Sequence, residues 1–496
     1  MKNLNLENIL IFFWLCILCS INSVYINTIP LYDIKSISSL STKNFFQLFN
    51  TFRFYLPLLL LPILVVLFFS YSVKKLNVMI LLFFVYYLWQ FLVFFISGAS
   101  TGEYPLLKMW SSHLITRYEE SLGDNINLTT SSICILIIIS IAKNLNLNRF
   151  FKKILFFSIL FIGIASIYLT YNLLSESIDK NLKFIYNSLF LNSFDWKTLE
   201  QASPRITGVS RMIMILYFIA FFYFLNCNKK ILSYLILVIL GMLIYKMQAR
   251  GSMLGVVMLL LFFFIFNYFS LRKKIIVFFF ILIIPIFLFE SYYYFKENKE
   301  IFFNSTSNSN SKEIFNSNSK EILHNSARDQ DRGHKLNRVL DLEKTGSSGR
   351  KQLWQNSLLL IKEKKIILGY GPKADRFLLT ELHSRNEKNK YYRDSYGNNF
   401  VVESNVSNAL IYAYLSGGLL GFLLLLTINV LASITIFKNI FIEKIFLSKD
   451  TVKLFSTTLL MYLGTRSIFE NSYSTFGIDY IFFTLSYMLA QKKNSV

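Results

Sequence analysis

Long runs of apolar side chains are the feature that most restricts how this chain can fold. A helix of about 20 apolar residues crosses the hydrocarbon core of a bilayer, and the sequence contains about twelve runs near that length. Charged residues make up 16% of the chain and hydrophobic residues 54%, whereas a soluble domain carries about 25% charged residues. The sequence therefore predicts an all-α polytopic membrane protein and excludes both a single soluble globule and a fully disordered chain. The predicted spans are 8–27, 52–72, 77–97, 127–142, 154–173, 209–226, 231–246, 252–270, 275–295, 406–431, 452–469 and 474–490.

One long insertion separates the predicted helices into two sets. Residues 1–295 are predicted to contain transmembrane helices 1–9 and residues 406–496 helices 10–12, with the loop 296–405 between them. The low-complexity part of this loop, 300–345, is rich in Ser and Asn and cannot bury a core. From 350 to 365 the pattern becomes that of an amphipathic helix lying on the outer leaflet. Its apolar face is predicted to contain Leu353, Trp354, Leu358 and Ile361.

Basic residues indicate which helix ends face the cytoplasm. Lys and Arg collect in every second short loop, for example at Arg272–Lys274 and from Lys438 to Lys453, and such loops are cytoplasmic. Both termini are then cytoplasmic, and the insertion 296–405 lies on the outer side. This orientation accounts for the formal net charge of +22. We therefore predict contact with membrane lipid and no nucleic-acid partner.

Five arginines are predicted on the outer side, where helix orientation gives no reason for positive charge. An arginine stays charged, and its planar guanidinium matches the oxygens of a phosphate group. Several of them at one depth indicate an anionic headgroup held at the outer interface. The alternative is that each guanidinium anchors a helix end at the interface, and Arg466 also has Glu470 one helical turn away. The five are Arg205, Arg211, Arg250, Arg350 and Arg466.

A second candidate region is the motif "ESNVSNALIYAYLSGGLLG" at the tenth predicted span. Its polar residues, Glu403, Ser407 and Asn408, lie just before the span or at its start. Glu403 is a candidate general base if the site raises its pKa; the alternative is an ordinary solvated loop residue. The glycines within the span allow a neighbouring helix to approach closely, and packing is the favoured reason for them. These glycines are Gly417, Gly418 and Gly421.

The order of these motifs resembles the O-antigen ligase/polymerase family, which are polytopic bacterial inner-membrane glycosyltransferases. The resemblance covers about residues 200–470, with twelve spans and one large late loop that would be periplasmic. Each motif alone is short, and their order and common side carry the resemblance. The motifs are Arg205 with Gly208, "ARGS" at Arg250, Arg350 with Trp354, "GYG", and Ser407-Asn408 followed by Gly418 and Gly421.

The resemblance implies a reaction and a set of partners. The donor would be a glycan on undecaprenyl diphosphate at the periplasmic face of the inner membrane, and an acceptor sugar hydroxyl would attack its anomeric carbon. The acceptor would be a glycan or a lipid, no metal or nucleotide cofactor would be needed, and a chain-length regulator would be a further partner. The arginines would hold the diphosphate leaving group as a fixed clamp. This role is carried to Arg205, Arg211, Arg250 and Arg350.

One departure from the family pattern affects the choice between two activities. Ligases that load O-antigen onto lipid A-core usually show His-Asn where this chain has Ser407-Asn408. A serine does not act as a base near neutral pH without help, so either Glu403 or His383 takes that role, or the reaction is polymerisation. We therefore expect a polymerase that joins repeat units, with a ligase as the alternative. The predicted catalytic residues are Glu403, Ser407 and Asn408.

A different class of protein also has about twelve spans, namely a lipid-linked oligosaccharide flippase or a secondary transporter. Transporters place polar residues near the middle of broken helices. Here the predicted spans are nearly pure Ile, Leu and Phe, and the charges lie at the outer rim. This distribution favours an enzyme that works at the membrane interface.

Overall fold

The protein is represented by a computed structural model, and two compact units divide the chain. The first unit is Met1–Ile167 with Ser347–Val496, and the second is Tyr168–Gly346. The structure describes residues 2–19, 42–71, 77–97, 106–107, 114–115, 117–147, 149–154, 206–224, 230–247, 250–265, 275–276, 278–288, 291, 350–375, 378–379, 392–393, 399–400, 406–445 and 450–491. The predicted low-complexity segment 300–345 and most of the predicted span 154–173 lie outside these residues.

Eleven α-helices are numbered here in chain order among the described residues. The first unit begins with α1 (Lys2–Cys19), α2 (Thr42–Tyr71), α3 (Val78–Ser97) and α4 (Arg117–Leu145). The second unit contains α5 (Ile206–Ile219), α6 (Lys230–Met247) and α7 (Arg250–Ile265), with π-helical turns at Ala220–Phe224 and Phe279–Ile283. The first unit resumes with α8 (Arg350–Glu363), α9 (Ala409–Phe437), α10 (Thr451–Arg466) and α11 (Ile478–Ala490), and with a π-helical turn at Lys438–Ile442 and a 3₁₀ turn at Ser472–Ser474.

The predicted all-α class is confirmed for the part of the chain that the structure describes. The described residues also include two antiparallel pairs of two-residue strands: β1 (Leu106–Leu107) with β2 (Leu114–Ile115), and β3 (Tyr392–Arg393) with β4 (Asn399–Phe400). Three described helices are long and apolar enough to cross a membrane, and six shorter apolar helices have 10–17 residues. The long ones cover Val78–Ile96, Asn125–Leu145 and Ala409–Ile442. The count of twelve spans, the domain boundaries and the periplasmic loop stay predictions.

Helix α9 shows why this fold needs a membrane. It leaves large apolar side chains exposed along most of its length, and contiguous apolar surface of this extent is unfavourable in water. Hydrocarbon chains of lipid would cover such a surface at no cost. The exposed side chains are Leu419, Leu423, Val430, Ile434 and Phe437.

The core of the first unit is aromatic and is formed where α3, α4 and α11 meet. The Phe83 ring lies edge-on to Tyr480 at 5.2 Å, and Tyr473 stacks on Phe483 with centroids 3.7 Å apart. Buried tyrosines require a hydrogen-bond acceptor, and for Tyr86, Tyr87 and Tyr480 the acceptors are backbone carbonyls. Tyr86 and Tyr87 donate to Ser474 and Tyr473 at 3.1 and 3.2 Å, and Tyr480 donates to Ser132 at 3.1 Å. These bonds fix the turn between α10 and α11 against α3.

Helix α8 occupies the position of the predicted amphipathic helix. Ser357 and Leu360 are buried, and Leu353, Trp354 and Ile361 pack against the same apolar cluster. Leu358 is 56% exposed, and its contact with the outer leaflet stays a prediction. At about 100° per residue Leu358 lies roughly 140° around the helix from Leu353, which places it at the edge of the buried stripe.

In the second unit, α5 packs against α6 and α7, and α6 packs against the π-helical turn at Phe279–Ile283. Tyr217, Phe218 and Phe221 of this unit are fully buried. Tyr234 of α6 stacks on Phe280 with ring centroids 4.5 Å apart. The unit is thus a small helical bundle whose interior is aromatic.

Candidate functional site

Helix α9 is interrupted after its second turn. Gly418 has φ 63° and ψ −155°, which breaks the helical path inside an otherwise apolar segment. A break leaves carbonyl and amide groups without their helical partners, and such groups must be satisfied inside a membrane. The sequence placed Gly417 and Gly418 within a continuous span, so the break is a finding of the structure.

The loop after α8 fills the break with its own backbone. The segment 366–371, which carries the "GYG" motif, runs beside the interrupted turn, and Trp89 of α3 completes the set. The four bonds are Tyr370 N to Leu415 O at 3.0 Å, Gly371 N to Ser416 O at 2.8 Å, Leu419 N to Ile367 O at 2.9 Å and Trp89 Nε1 to Gly417 O at 2.7 Å. The broken helix is therefore closed by protein groups at this position and needs no water there.

Glycine is required on both sides of this junction. A Cβ on Gly418 would lie 2.0 Å from the Ile367 oxygen, and one on Gly369 would lie 2.5 Å from the Gly418 nitrogen. Gly369 and Gly371 also have φ values of 85° and 87°, a region that residues with a Cβ rarely adopt. The "GYG" and "SGG" motifs, which the sequence analysis treated separately, thus form one structural element. Gly418 allows the loop 366–371 to approach α9 closely, whereas the sequence predicted that this glycine allows a neighbouring helix to do so.

The predicted catalytic pair lies at the start of α9, two turns before this junction. Asn408 caps the helix: its side-chain oxygen accepts from the Ile411 amide at 3.0 Å. Its Nδ2 donates to the Ile468 carbonyl at 3.0 Å, and its own amide donates to Asn471 Oδ1 at 3.2 Å. The amide of Ala409 donates to the Ser467 carbonyl at 2.9 Å. The Asn408 side chain is therefore engaged in fixing the helix start against the end of α10.

Ser407 has a left-handed backbone with φ 48° and is half-buried. This conformation is uncommon for a residue with a Cβ and costs energy that the surroundings must supply. The preceding residue, Val406, is fully buried and bound through both of its backbone polar groups. Its amide donates to Asp375 Oδ2 at 3.0 Å, and its carbonyl accepts from Trp354 Nε1 at 3.0 Å.

Arg466 has a partner that the sequence analysis did not identify. The side chain is 3% exposed, its Nε lies 3.5 Å from Asp479 Oδ2, and its Nη1 donates to the Tyr462 hydroxyl at 2.9 Å. Ser472 Oγ donates to the same Asp479 oxygen at 3.3 Å. The sequence contained one sign of this pair. Asp479 lies at the start of the apolar segment "IDYIFFTL", where an ionised side chain is costly in free energy unless it is paired. Arg466 is engaged inside the first unit through this ion pair.

The other predicted site residues are described to different extents. Arg211 lies in α5 and is half-buried, Arg250 is the first residue of α7, and Arg350 is the first residue of α8. Arg211 and Arg250 thus belong to the second unit, and Arg350 to the first unit with Ser407 and Asn408. Arg205, His383 and Glu403 lie outside the described residues.

Comparison with known proteins identifies the segment that holds most of these residues. Residues 235–426 match a family model described as O-antigen ligase. The matched range includes Arg250, Arg350 and Ser407-Asn408 as well as the junction of "GYG" with Gly418. The chain has no significant match among curated proteins or among solved structures. The match over residues 235–426 supports the assignment to the O-antigen ligase/polymerase family that the order of the motifs predicted.

Proposed function

We propose that this protein is a polymerase for O-antigen or a related surface polysaccharide in the bacterial inner membrane. It transfers a glycan from undecaprenyl diphosphate to an acceptor sugar hydroxyl at the periplasmic face. The family match over residues 235–426 carries the proposal. The choice of polymerase over ligase rests on Ser407, which stands where the ligases usually have histidine.

Arginines bind the diphosphate in this proposal. Arg250 and Arg350 each begin a helix, and the free amides and dipole of a helix N-terminus favour an anion at that end. An arginine as the first residue of a helix brings a permanent charge and a bidentate donor to that end of the helix. Arg205 and Arg211 complete the proposed clamp. Because Arg250 and Arg350 both begin a helix, we favour diphosphate binding over simple anchoring at the membrane interface.

The proposed reaction is a direct displacement. The acceptor hydroxyl oxygen forms a bond to the anomeric carbon while the bond from that carbon to the diphosphate oxygen breaks. The arginines stabilise the negative charge that develops on the leaving diphosphate. The hydroxyl proton passes to a general base, for which we propose Glu403. Ser407 contacts the acceptor hydroxyl, and Asn408 fixes the direction of Ser407 by capping α9.

The break in α9 bears on the transporter alternative. Interrupted helices in transporters expose backbone groups to substrate or ions near the middle of the membrane. Here the groups freed at Gly417 and Gly418 are paired with the loop 366–371 and with Trp89. The break therefore supports a rigid scaffold for an interfacial site, and a substrate path through α9 is not favoured.

Analysis of intermediates in a strain lacking this protein tests the proposed activity. Loss of a polymerase leaves single repeat units on the lipid carrier and on the final acceptor. Loss of a ligase leaves long polymer on undecaprenyl diphosphate and none on lipid A-core. Loss of a flippase leaves single units that stay inaccessible from the periplasm. We expect the first pattern, and either of the other two would contradict the proposal.

A further inference from the structure

We propose that Asp375 and Trp354 are positioning residues that set the direction of Ser407 by holding Val406. This inference rests on the proposed function, because it concerns the placement of a residue assigned to the acceptor side of that reaction. The sequence motifs gave neither residue this role. Trp354 appears there as part of the motif with Arg350 and on the apolar face of the predicted helix, and Asp375 belongs to no motif.

Two side chains hold Val406 through its backbone, one at the amide and one at the carbonyl. Asp375, which lies 31 residues earlier, accepts from its amide at 3.0 Å. Trp354, which lies 52 residues earlier, donates to its carbonyl at 3.0 Å. Both bonds reach across the first unit to a residue that precedes α9. The approach of the chain to Ser407 is therefore fixed by two groups from distant parts of the sequence.

The position of Asp375 is fixed by hydrogen bonds between its loop and α9. The loop that carries it is bound through Tyr370 and Gly371 to the interrupted turn of α9. The amide of Lys373 in the same loop donates to the Tyr412 hydroxyl of α9 at 3.0 Å. Asp375 is 1% exposed. A buried carboxylate is expensive to retain, and its bond to an amide is stronger than that of a neutral acceptor.

Both neighbours of Ser407 in the chain are held by hydrogen bonds, and those of Val406 lie on one side of it. On its other side, Asn408 is bound to Ile468 and Asn471 of the turn after α10. With both neighbours held, the backbone of Ser407 stays at φ 48°, a conformation that persists only where the surroundings determine it. Loss of either bond to Val406 releases one neighbour. Ser407 then relaxes towards an ordinary backbone conformation, and its hydroxyl turns away from the acceptor.

The kinetic consequence separates positioning from folding. The proposed contacts to the donor diphosphate are arginines, so loss of the Val406 bonds leaves the binding of that diphosphate unchanged. Because misplacement of a reacting group by about 1 Å can cost about a hundredfold in rate, kcat falls by about tenfold to a hundredfold.

The test uses the full chain in lipid nanodiscs, with undecaprenyl-diphosphate-linked repeat units isolated from a host strain that lacks this protein. We expect Asp375→Ala and Trp354→Phe to lower kcat at saturating units and to leave unchanged the affinity for free undecaprenyl diphosphate, the leaving group that the arginines are proposed to hold. Asp375→Asn keeps an oxygen that can accept from Val406, and it should recover most of the lost kcat. Trp354→Phe removes one donor while it keeps an aromatic side chain, so it tests the inference even where Asp375→Ala does not fold.

Asn439→Ala is the matched control, because it also removes a buried side chain that bonds to distant groups. Asn439 Nδ2 donates to Thr457 Oγ1 at 3.0 Å and to the Ala490 carbonyl at 2.9 Å, beyond the other end of α9. This variant should lower thermal stability and leave kcat of the folded protein unchanged. If Trp354→Phe behaves like Asn439→Ala, with lower stability and normal kcat, the positioning role is wrong.

Ser407→Ala in the same assay separates this inference from the function on which it rests. If Ser407→Ala loses kcat and Trp354→Phe keeps it, only the positioning role is contradicted. If Ser407→Ala keeps full kcat, the acceptor-side role of Ser407 fails and the inference fails with it. If the wild-type chain makes no product from the lipid-linked units, the proposed function itself is contradicted.

Discussion

Arg250 and Arg350 share a local setting, since each is the first residue of a helix. Charge alone does not reproduce a guanidinium at such a position, because the bidentate geometry contributes to diphosphate binding. A charge-assisted hydrogen bond is worth roughly 1.5–3 kcal/mol, and about 1.4 kcal/mol corresponds to tenfold in rate. We expect Arg250→Lys to slow polymer formation by about ten- to a hundredfold at a normal protein level, and Arg250→Ala to abolish nearly all of it.

The control for this prediction is Arg272→Ala, which removes a predicted cytoplasmic charge among lysine neighbours and should have little effect. Glycan is measured on gels and protein level by blotting. Normal glycan from Arg250→Ala at a normal protein level would show that Arg250 is an interface anchor and not part of a diphosphate clamp.

The Arg466 guanidinium lies in a buried ion pair with Asp479. Removing one partner of such a pair leaves an uncompensated buried charge, at a cost of about 3–5 kcal/mol. We expect Arg466→Ala to lower the thermal stability of the purified protein clearly. The double variant Arg466→Met with Asp479→Leu removes both charges and should recover most of that stability. A double variant no more stable than Arg466→Ala would show that the ion pair is not the source of the effect.

At the scale of elements, hydropathy predicts most helices well but does not reveal how they are interrupted. The predicted spans 77–97 and 452–469 correspond to α3 and α10 within a few residues, since apolar composition over about 20 residues is a local signal. The break at Gly418 depends on a loop some 50 residues earlier in the chain, and hydropathy contains no such contact. The bond from Val406 to Asp375 spans 31 residues and is equally invisible to local patterns.

The junction between the loop 366–371 and the broken turn of α9 has a direct test. Gly418→Ala places a Cβ 2.0 Å from the Ile367 oxygen at a residue with φ 63°, and such strain costs upwards of about 1–3 kcal/mol. We expect a marked loss of thermal stability in detergent. Gly464→Ala in α10 is the control, because a Cβ there meets nothing within 4 Å and alanine favours a helix. Equal melting temperatures for the two variants would contradict the described junction.

At the scale of the whole molecule, the charge pattern predicts an orientation that the proposed site requires. A reporter fused after Lys274 should score as cytoplasmic, and one fused near Asn337 as periplasmic, because basic loops stay inside. The expected result places the loop 296–405 on the side where the lipid-linked donor is presented. The opposite pattern would place the arginines in the cytoplasm and would remove the basis of the proposed site.

We propose that this chain elongates a glycan on a polyprenyl-diphosphate carrier, and a reconstituted reaction tests this activity without other enzymes present. The purified protein in nanodiscs is incubated with undecaprenyl-diphosphate-linked repeat units as the only substrate. We expect a ladder of longer lipid-linked glycans and one undecaprenyl diphosphate released for each bond formed, with both products lost in Arg250→Ala. Glycan transferred only when lipid A-core is added, or units moved across the bilayer with no new bond, would show that the protein is not a polymerase.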